Sequence, residues 1–145
     1  VADSQCSSQI GDIGRFRGMH LLTPTEHEAR ISLRNQEDGL VVLCEKLRLQ
    51  ANAKNIILKL GTEGALLHVE GSDGLPQTDR IPALNLSPKD VAGAGDSMLV
   101  TSSLAFAVGA TPWEASALGS LAAAIQVGRI GNEAISKEQL LKVIQ

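Results

Sequence analysis

The segment GAGD at residues 93–96 combines two features that could bind and activate a phosphoryl group. Gly93 and Gly95 let the backbone turn tightly and bring its N–H groups close to a ligand. A helix is predicted to begin at Ala94, so these N–H groups are unpaired donors, reinforced by the helix dipole. Such a helix start binds phosphate, or the charge that develops during phosphoryl transfer. Asp96, in the first turn, could take the proton from an attacking hydroxyl.

The same segment also has a simpler interpretation. Gly-Ala-Gly could be an ordinary turn, and an aspartate in a first helical turn suits the dipole without any catalytic role. The segment is not a Walker loop, because no Gly-Lys-Ser/Thr follows it, and it lacks the third glycine of a dinucleotide-binding fingerprint. Spacing alone leaves both interpretations open.

Two other segments are weaker candidates. The segment GTEG at residues 61–64 follows a predicted strand, so its N–H groups could meet phosphate oxygens, although an ordinary hairpin turn is the better explanation from the spacing alone. In TEHE at residues 25–28, Glu26 and Glu28 could hold Mg²⁺ through water. Thr25 and Glu28, however, already have the spacing of a helix capping box.

The elements that must position these residues follow from hydrophobic periodicity and from turn and cap signals. Strands are predicted at residues 20–24, 55–60 and 65–69, an extended segment at 78–86 that Pro82 interrupts, and helices after Thr25, at 37–50, 94–108 and 112–126, and after Ser136. This order fits a layered α/β domain, and the few strands indicate part of a larger sheet.

Composition excludes several classes of partner. A net charge of −3, no arginine-rich run and only 2% aromatic residues argue against nucleic acid. No apolar run reaches the ~18 residues that a membrane span needs. Cys6 and Cys44 make no disulfide framework, and Cys44 is predicted to be a core residue, so we expect a reducing, cytoplasmic compartment. His20, His27 and His68 lack metal-ligand spacing, and we expect satisfied surface or edge positions for them.

Four segments together resemble one family. DVAGAGDS at residues 90–97 resembles the Asp-Thr-x-Gly-Ala-Gly-Asp signature of the ribokinase-like (pfkB) carbohydrate kinases. LTPTEHEA at 22–29 is similar to the family's Thr-Pro-Asn-x-x-Glu strand end, LGTEGA at 60–65 to its Leu-Gly-x-x-Gly turn, and residues 122–131 to its last alanine-rich helix and the following loop. The resemblance extends from about Gly18 to Gln145. FRG at 16–18 and VGRIG at 127–131 resemble the heptose-phosphate kinase branch, which feeds ADP-heptose synthesis.

The resemblance implies a three-layer α/β/α, Rossmann-like domain. Residues 1–145 would be its C-terminal, nucleotide-binding part, without the lid and the sugar contacts of the family's first half. A sugar or sugar phosphate would therefore be bound through a missing N-terminal half. The isolated chain would have little or no activity, and its exposed sheet edge would lead to homo-oligomers or bind the missing segment.

The resemblance also implies residue roles. Asp96 would be the general base, and the backbone of residues 92–96, with Gly93, Ala94 and Gly95, the anion hole. ATP phosphates would meet Gly61, Gly64 and Lys59, and adenine would meet Ser120, Gly131 and Asn132. Asp90 would hold a monovalent cation such as K⁺, and Glu28 would act on Mg²⁺ through water. Five positions depart from the family pattern, namely Thr25, Lys59, Val91, Ala92 and Ser120.

Two other classes of function compete with a kinase. The chain could be a nucleotide-binding or regulatory module without catalysis of its own, or a structural α/β domain with a fortuitous Gly-Ala-Gly-Asp.

Overall fold

The computed structural model describes residues 1–3 and 11–144. Its strands are β1 (Leu21–Leu22), β2 (Asn55–Lys59), β3 (Ala65–Glu70) and β4 (Pro76–Ile81), and its α-helices are α1 (Glu26–Leu33), α2 (Leu40–Ala51), α3 (Ala94–Ala107), α4 (Pro112–Val127) and α5 (Lys137–Ile144). The chain divides into two compact units, one of Val1–Gly61 and Ala65–Arg80, the other of Thr62–Gly64 and Ile81–Gln145.

The first unit is built on a mixed sheet with strand order β1-β2-β3-β4. β1 runs parallel to β2, with Leu21 opposite Asn55, and β2 runs antiparallel to β3, with Ile57 opposite Leu67. Every residue of β2 except Lys59 is buried, as is every residue of β3 except Glu70. Both strands therefore consist mostly of apolar residues, as expected for strands covered on both faces.

The core of this unit lies between the sheet and α2. Leu43, Cys44 and Leu47 form the stripe predicted from helical spacing, and all three are fully buried. Burial raises the pKa of the Cys44 thiol to about 12, because the apolar core disfavours the thiolate. The prediction of a core cysteine is therefore confirmed; Cys6 lies outside the described residues.

Several predicted boundaries were wrong. β1 is limited to Leu21–Leu22 within the predicted residues 20–24. α2 begins at Leu40 rather than at residue 37, because Asn35 Oδ1 accepts the N–H groups of Glu37 and Asp38 at 3.1 and 3.0 Å and holds them in a turn. β4 begins at Pro76, two residues early, and ends before Pro82, which has no N–H to donate to a ladder.

The prediction for His68 was also wrong. β4 lies outside β3, so His68 sits on an inner strand and is fully buried. Its Nδ1 is 2.7 Å from Thr78 Oγ1, and its Nε2 is 2.9 Å from Glu45 Oε2. Both ring nitrogens are therefore satisfied, as a buried imidazole requires. His20 and His27 are exposed, as predicted.

The second unit is helical. α3 and α4 pack closely at Gly119, where an added Cβ would overlap Ser102 Oγ and lie 3.0 Å from the Met98 carbonyl oxygen. Ser102 Oγ donates to the Ala115 carbonyl at 3.0 Å. α4 begins with a complete capping box formed by Thr111 and Glu114, which agrees with the helix predicted from residue 112. Within the described residues, none of the helices has both the length and the apolar character needed to cross a bilayer.

Candidate active site

The start of α3 presents backbone donors without a side-chain cap. Gly93 is the N-cap of α3, and no side chain makes a capping hydrogen bond there. Its φ of 75° is a left-handed conformation, which glycine tolerates best. Its carbonyl accepts the N–H of Ser97 at 2.9 Å, so the helix begins there. The N–H groups of Gly95 and Asp96 stand in the first turn, where helix geometry supplies no acceptor. Asp96 is exposed in that turn.

Gly93 also lies against Asn132. A Cβ at position 93 would overlap Asn132 Oδ1 and lie 2.5 Å from its Cγ. The structure thus brings together a residue predicted for the anion hole and one predicted for the adenine side. Any residue larger than glycine at position 93 has to displace the Asn132 side chain.

Asp90 ties the segment before α3 to the loop after α4. Its Oδ1 accepts the N–H of Ala92 at 3.0 Å, and its Oδ2 accepts the N–H of Gly131 at 3.1 Å. These two backbone hydrogen bonds, from Ala92 first and then from Gly131, lower the pKa of the Asp90 carboxyl because they favour its charged form. Asp90 is therefore an ionised residue that shapes the loop.

Gln126 is a residue that the sequence analysis missed. It is fully buried near the end of α4, and its Nε2 donates to the carbonyl of Ala92 at 3.0 Å and to that of Gly131 at 2.8 Å. Its Oε1 accepts from Arg129 Nε at 3.1 Å. In the sequence, Gln126 is a single amide side chain near the end of an alanine-rich helix. That position alone does not indicate that it contacts Ala92 and Gly131.

A monovalent cation beside Asp90 would need the oxygens around it as ligands. Both Asp90 oxygens accept backbone N–H groups, and the carbonyls of Ala92 and Gly131 accept from Gln126. This set of oxygens does not fit a cation as it stands, because each of them already accepts a hydrogen bond and the two carbonyls are bridged by the Gln126 amide.

Ser120 is almost buried, at 8% exposure, and its Oγ has no hydrogen-bond partner within the described residues. A buried hydroxyl without a partner costs about 1–3 kcal/mol. The position therefore suits contact with a polar ligand atom or with water.

Gly64 has a packing reason to be glycine. Its φ is 92°, and an added Cβ would overlap the Ile81 carbonyl oxygen and lie 2.6 Å from Ala83 N. The backbone of residues 81–83 thus passes directly over it.

The other predicted residues belong to the first unit. Glu28 is 4% exposed, and its Oε2 accepts the Thr25 N–H at 2.6 Å, which completes the predicted capping box. Lys59 Nζ pairs with Asp3 Oδ2 at 2.8 Å, so reaching a phosphate would break that ion pair. Gly61 has a φ of 61°, and an added Cβ there meets nothing within 4 Å. Across residues 1–3 and 11–144, no cluster of three or more His, Cys, Asp or Glu side chains could hold a metal ion.

The glycine-rich helix start with its exposed aspartate thus stands in an α/β fold with one mixed sheet in the described residues. The family model of pfkB carbohydrate kinases matches residues 7–139, and the chain belongs to that family.

Similar curated proteins agree with the branch that the resemblance indicates. The chain is 33% identical over 137 residues to the bifunctional protein HldE of Geotalea uraniireducens, covering 92% of this chain and 27% of that protein. It is 35% identical over 136 residues to the HldE protein of Pseudomonas entomophila, covering 92% of this chain and 28% of that protein. The chain thus spans little more than a quarter of the length of these relatives.

Solved structures establish the same fold. The ribokinase of Thermotoga maritima superposes with a TM-score of 0.76 at 27% identity, over 89% of this chain and 43% of that one. Phosphofructokinase-2 of Escherichia coli, in a complex with potassium, superposes with a TM-score of 0.75 at 20% identity, over 90% of this chain and 41% of that one. The chain is therefore a partial ribokinase-like domain, and the strands of its described residues all belong to one sheet.

Proposed function

We propose that this chain supplies the nucleotide side of an ATP-dependent kinase that phosphorylates a hydroxyl of a sugar or sugar phosphate. The observation that carries the proposal is the uncapped, left-handed Gly93 at the start of α3 with Asp96 exposed in the first turn. Family membership supports it, because the pfkB family model matches residues 7–139, which include this segment.

The reaction is a direct in-line transfer that depends on positioning and on charge stabilisation. Asp96 accepts the proton of the acceptor hydroxyl while the oxygen of that hydroxyl bonds to the γ-phosphorus. The bond from the γ-phosphorus to the bridging oxygen breaks, and ADP leaves. The backbone N–H groups of residues 93–96 stabilise the negative charge on the transferred group.

The remaining predicted residues would hold the nucleotide. Gly61 and Gly64 would bring backbone N–H groups to the phosphates, with Lys59 joining them if it leaves Asp3. Adenine would lie against Ser120, Gly131 and Asn132. The unpartnered Ser120 hydroxyl supports that assignment.

Mg²⁺ would be held mainly by phosphate oxygens, since it keeps several waters and needs only one or two carboxylates. This fits a chain whose described residues form no acidic cluster. Glu28 is the proposed carboxylate, acting through water, with one of its two oxygens engaged by the Thr25 N–H.

The acceptor proposed from the HldE relatives is a heptose 7-phosphate, phosphorylated at its 1-hydroxyl. The chain spans 27% of the Geotalea uraniireducens protein, so we propose that residues outside these 145 bind the sugar. The isolated chain is then expected to release no ADP in response to a sugar.

Asp96→Asn tests the proposal in the polypeptide that joins these residues to a sugar-binding segment. We expect ADP release with heptose 7-phosphate to fall about 10²–10⁴-fold while MgATP affinity is kept, since only proton transfer is lost. Asp79→Asn, on the exposed strand β4, is the matched control and should keep full turnover. Near-normal turnover of Asp96→Asn would reject the general-base role. MgATP binding without any turnover, even before mutation, would favour a nucleotide-binding module.

A further inference from the structure

Two side chains, the partly exposed Asp90 and the fully buried Gln126, hold the loop before the anion hole. Asp90 accepts the N–H groups of Ala92 and Gly131, and Gln126 donates to the carbonyl groups of the same two residues. We call this set of Asp90, Ala92, Gln126 and Gly131 the loop brace. It fixes both polar groups of two residues that lie far apart in sequence, so neither the segment before Gly93 nor the loop after α4 can rotate independently.

The brace determines the direction of the donors at the start of α3. Ala92 immediately precedes Gly93, whose left-handed φ starts the helix. A change in the Ala92 peptide would therefore reorient the first N–H groups of α3. Gln126 contacts neither those N–H groups nor Asp96, so its role would be positioning.

Arg129 supplies a positive charge to the brace. Its guanidinium donates to Gln126 Oε1 through Nε at 3.1 Å and also donates to the Glu133 carbonyl. A donor that is itself polarised by a charged group makes a stronger hydrogen bond. The positive charge of Arg129 thus polarises the Gln126 amide and strengthens its hydrogen bonds to the carbonyls of Ala92 and Gly131.

We propose that Gln126, polarised by Arg129, takes the place of a monovalent cation and orders the anion-hole loop without one. A cation at this position would be ligated by the carbonyls and carboxylate that the brace already uses, and the fully buried Gln126 amide already donates to both carbonyls. The consequence for catalysis rests on the proposed function, whereas the consequence for folding does not.

Thermal unfolding of the 145-residue chain in potassium, sodium and tetramethylammonium chloride at equal ionic strength tests the proposal. Tetramethylammonium is too large to enter the brace. We expect the unmutated chain to melt at the same temperature in all three salts. A melting temperature raised by K⁺ alone would overturn the proposal.

Gln126→Glu tests whether the amide excludes the cation. This change removes the donors and adds an oxygen ligand, so we expect the melting temperature to fall by at least about 4 °C in tetramethylammonium chloride and to recover in potassium chloride. Gln77→Glu, which adds the same charge on exposed strand β4, should respond equally to the three salts.

Gln126→Ala repeats the comparison without an added charge, and it decides the matter if Gln126→Glu does not fold. It frees the carbonyls of Ala92 and Gly131 and should also become sensitive to K⁺. If both variants fold and neither responds to K⁺, the proposal is wrong. MgATP calorimetry in the same salts separates the two claims: no ATP binding in any salt counts against the kinase, while the melting data still decide the role of Gln126.

Discussion

Glu45 forms the polar centre of the first unit. It accepts from Arg48 Nε at 2.7 Å, and it lies 2.9 Å from the buried His68 ring. The hydrogen bond from Arg48 first, and then that from His68, lowers the pKa of Glu45 from 4.5 to about 2. Glu45 is therefore charged in the folded state over almost the whole pH range.

This shift predicts a pH-dependent contribution to stability. Because the folded-state pKa is below the unfolded one, the contribution is complete above pH 4.5 and is lost as the pH falls towards 2. Glu45→Gln should lower the free energy of unfolding at pH 7 by about 1.5–3 kcal/mol, as expected for hydrogen bonds to a charged group. Urea unfolding at pH 7, 4 and 3 measures it, with the exposed Glu37→Gln as control. A difference from the unmutated chain that stays constant across these pH values would contradict the account.

At single positions, the sequence predicts what local geometry determines. Gly93 was identified correctly as a residue that lets the backbone turn, because its left-handed conformation excludes most other residues. Gln126 could not be predicted, because its partner Ala92 lies 34 residues away and nothing near either residue in the chain indicates the contact. His68 was misplaced for the same reason, since its burial depends on where β4 pairs.

Among the elements, the contact of α3 with α4 depends on Gly119. Gly119→Val should lower the free energy of unfolding by at least about 2 kcal/mol, because the added side chain overlaps Ser102, whose hydroxyl is buried and bonded to Ala115. Ala117 is exposed on the same helix, so Ala117→Val adds a β-branched side chain without overlap. It should lower the free energy of unfolding only by the difference in helix propensity between alanine and valine. Denaturant unfolding compares them. Equal losses would mean that the two helices are not closely packed in solution.

Element boundaries were predicted well where three or four residues determine them. The capping boxes at Thr25 and Thr111 are both complete, since each joins a residue to the third one after it. The start of α2 was missed because the turn at Asn35 competes with the helix. The start of β4 was missed because Pro76 is tolerated only at the first residue of an edge strand.

On the scale of the whole molecule, α3 carries an exposed apolar stripe. Val100, Leu104 and Val108 follow one another at intervals of four residues and are 56%, 65% and 86% exposed. A stripe of this kind favours association or contact with further protein. We call it the α3 stripe; it is a different surface from the sheet edge to which self-association was assigned from the sequence.

Leu104→Lys should therefore reduce binding of an apolar dye and reduce self-association in sedimentation, with little change in melting temperature. Leu75→Lys is the matched control, because Leu75 is 64% exposed but belongs to the connection between β3 and β4 in the first unit. If both variants change dye binding equally, or if the unmutated chain is a monomer that binds no dye, the α3 stripe does not drive association.

MgATP binding by the 145-residue chain tests the central claim most directly, because the claim is that the start of α3 binds phosphate. Calorimetry compares the MgATP affinities of Gly93→Ala and Gly109→Ala with that of the unmutated chain. The two glycines stand at opposite ends of α3 with φ of 75° and 88°, so both substitutions strain the backbone. Only at position 93 does the added Cβ meet another residue, Asn132. We predict that Gly93→Ala weakens MgATP binding at least tenfold, while Gly109→Ala binds like the unmutated chain. Equal affinity in all three proteins would contradict the assignment of the anion hole.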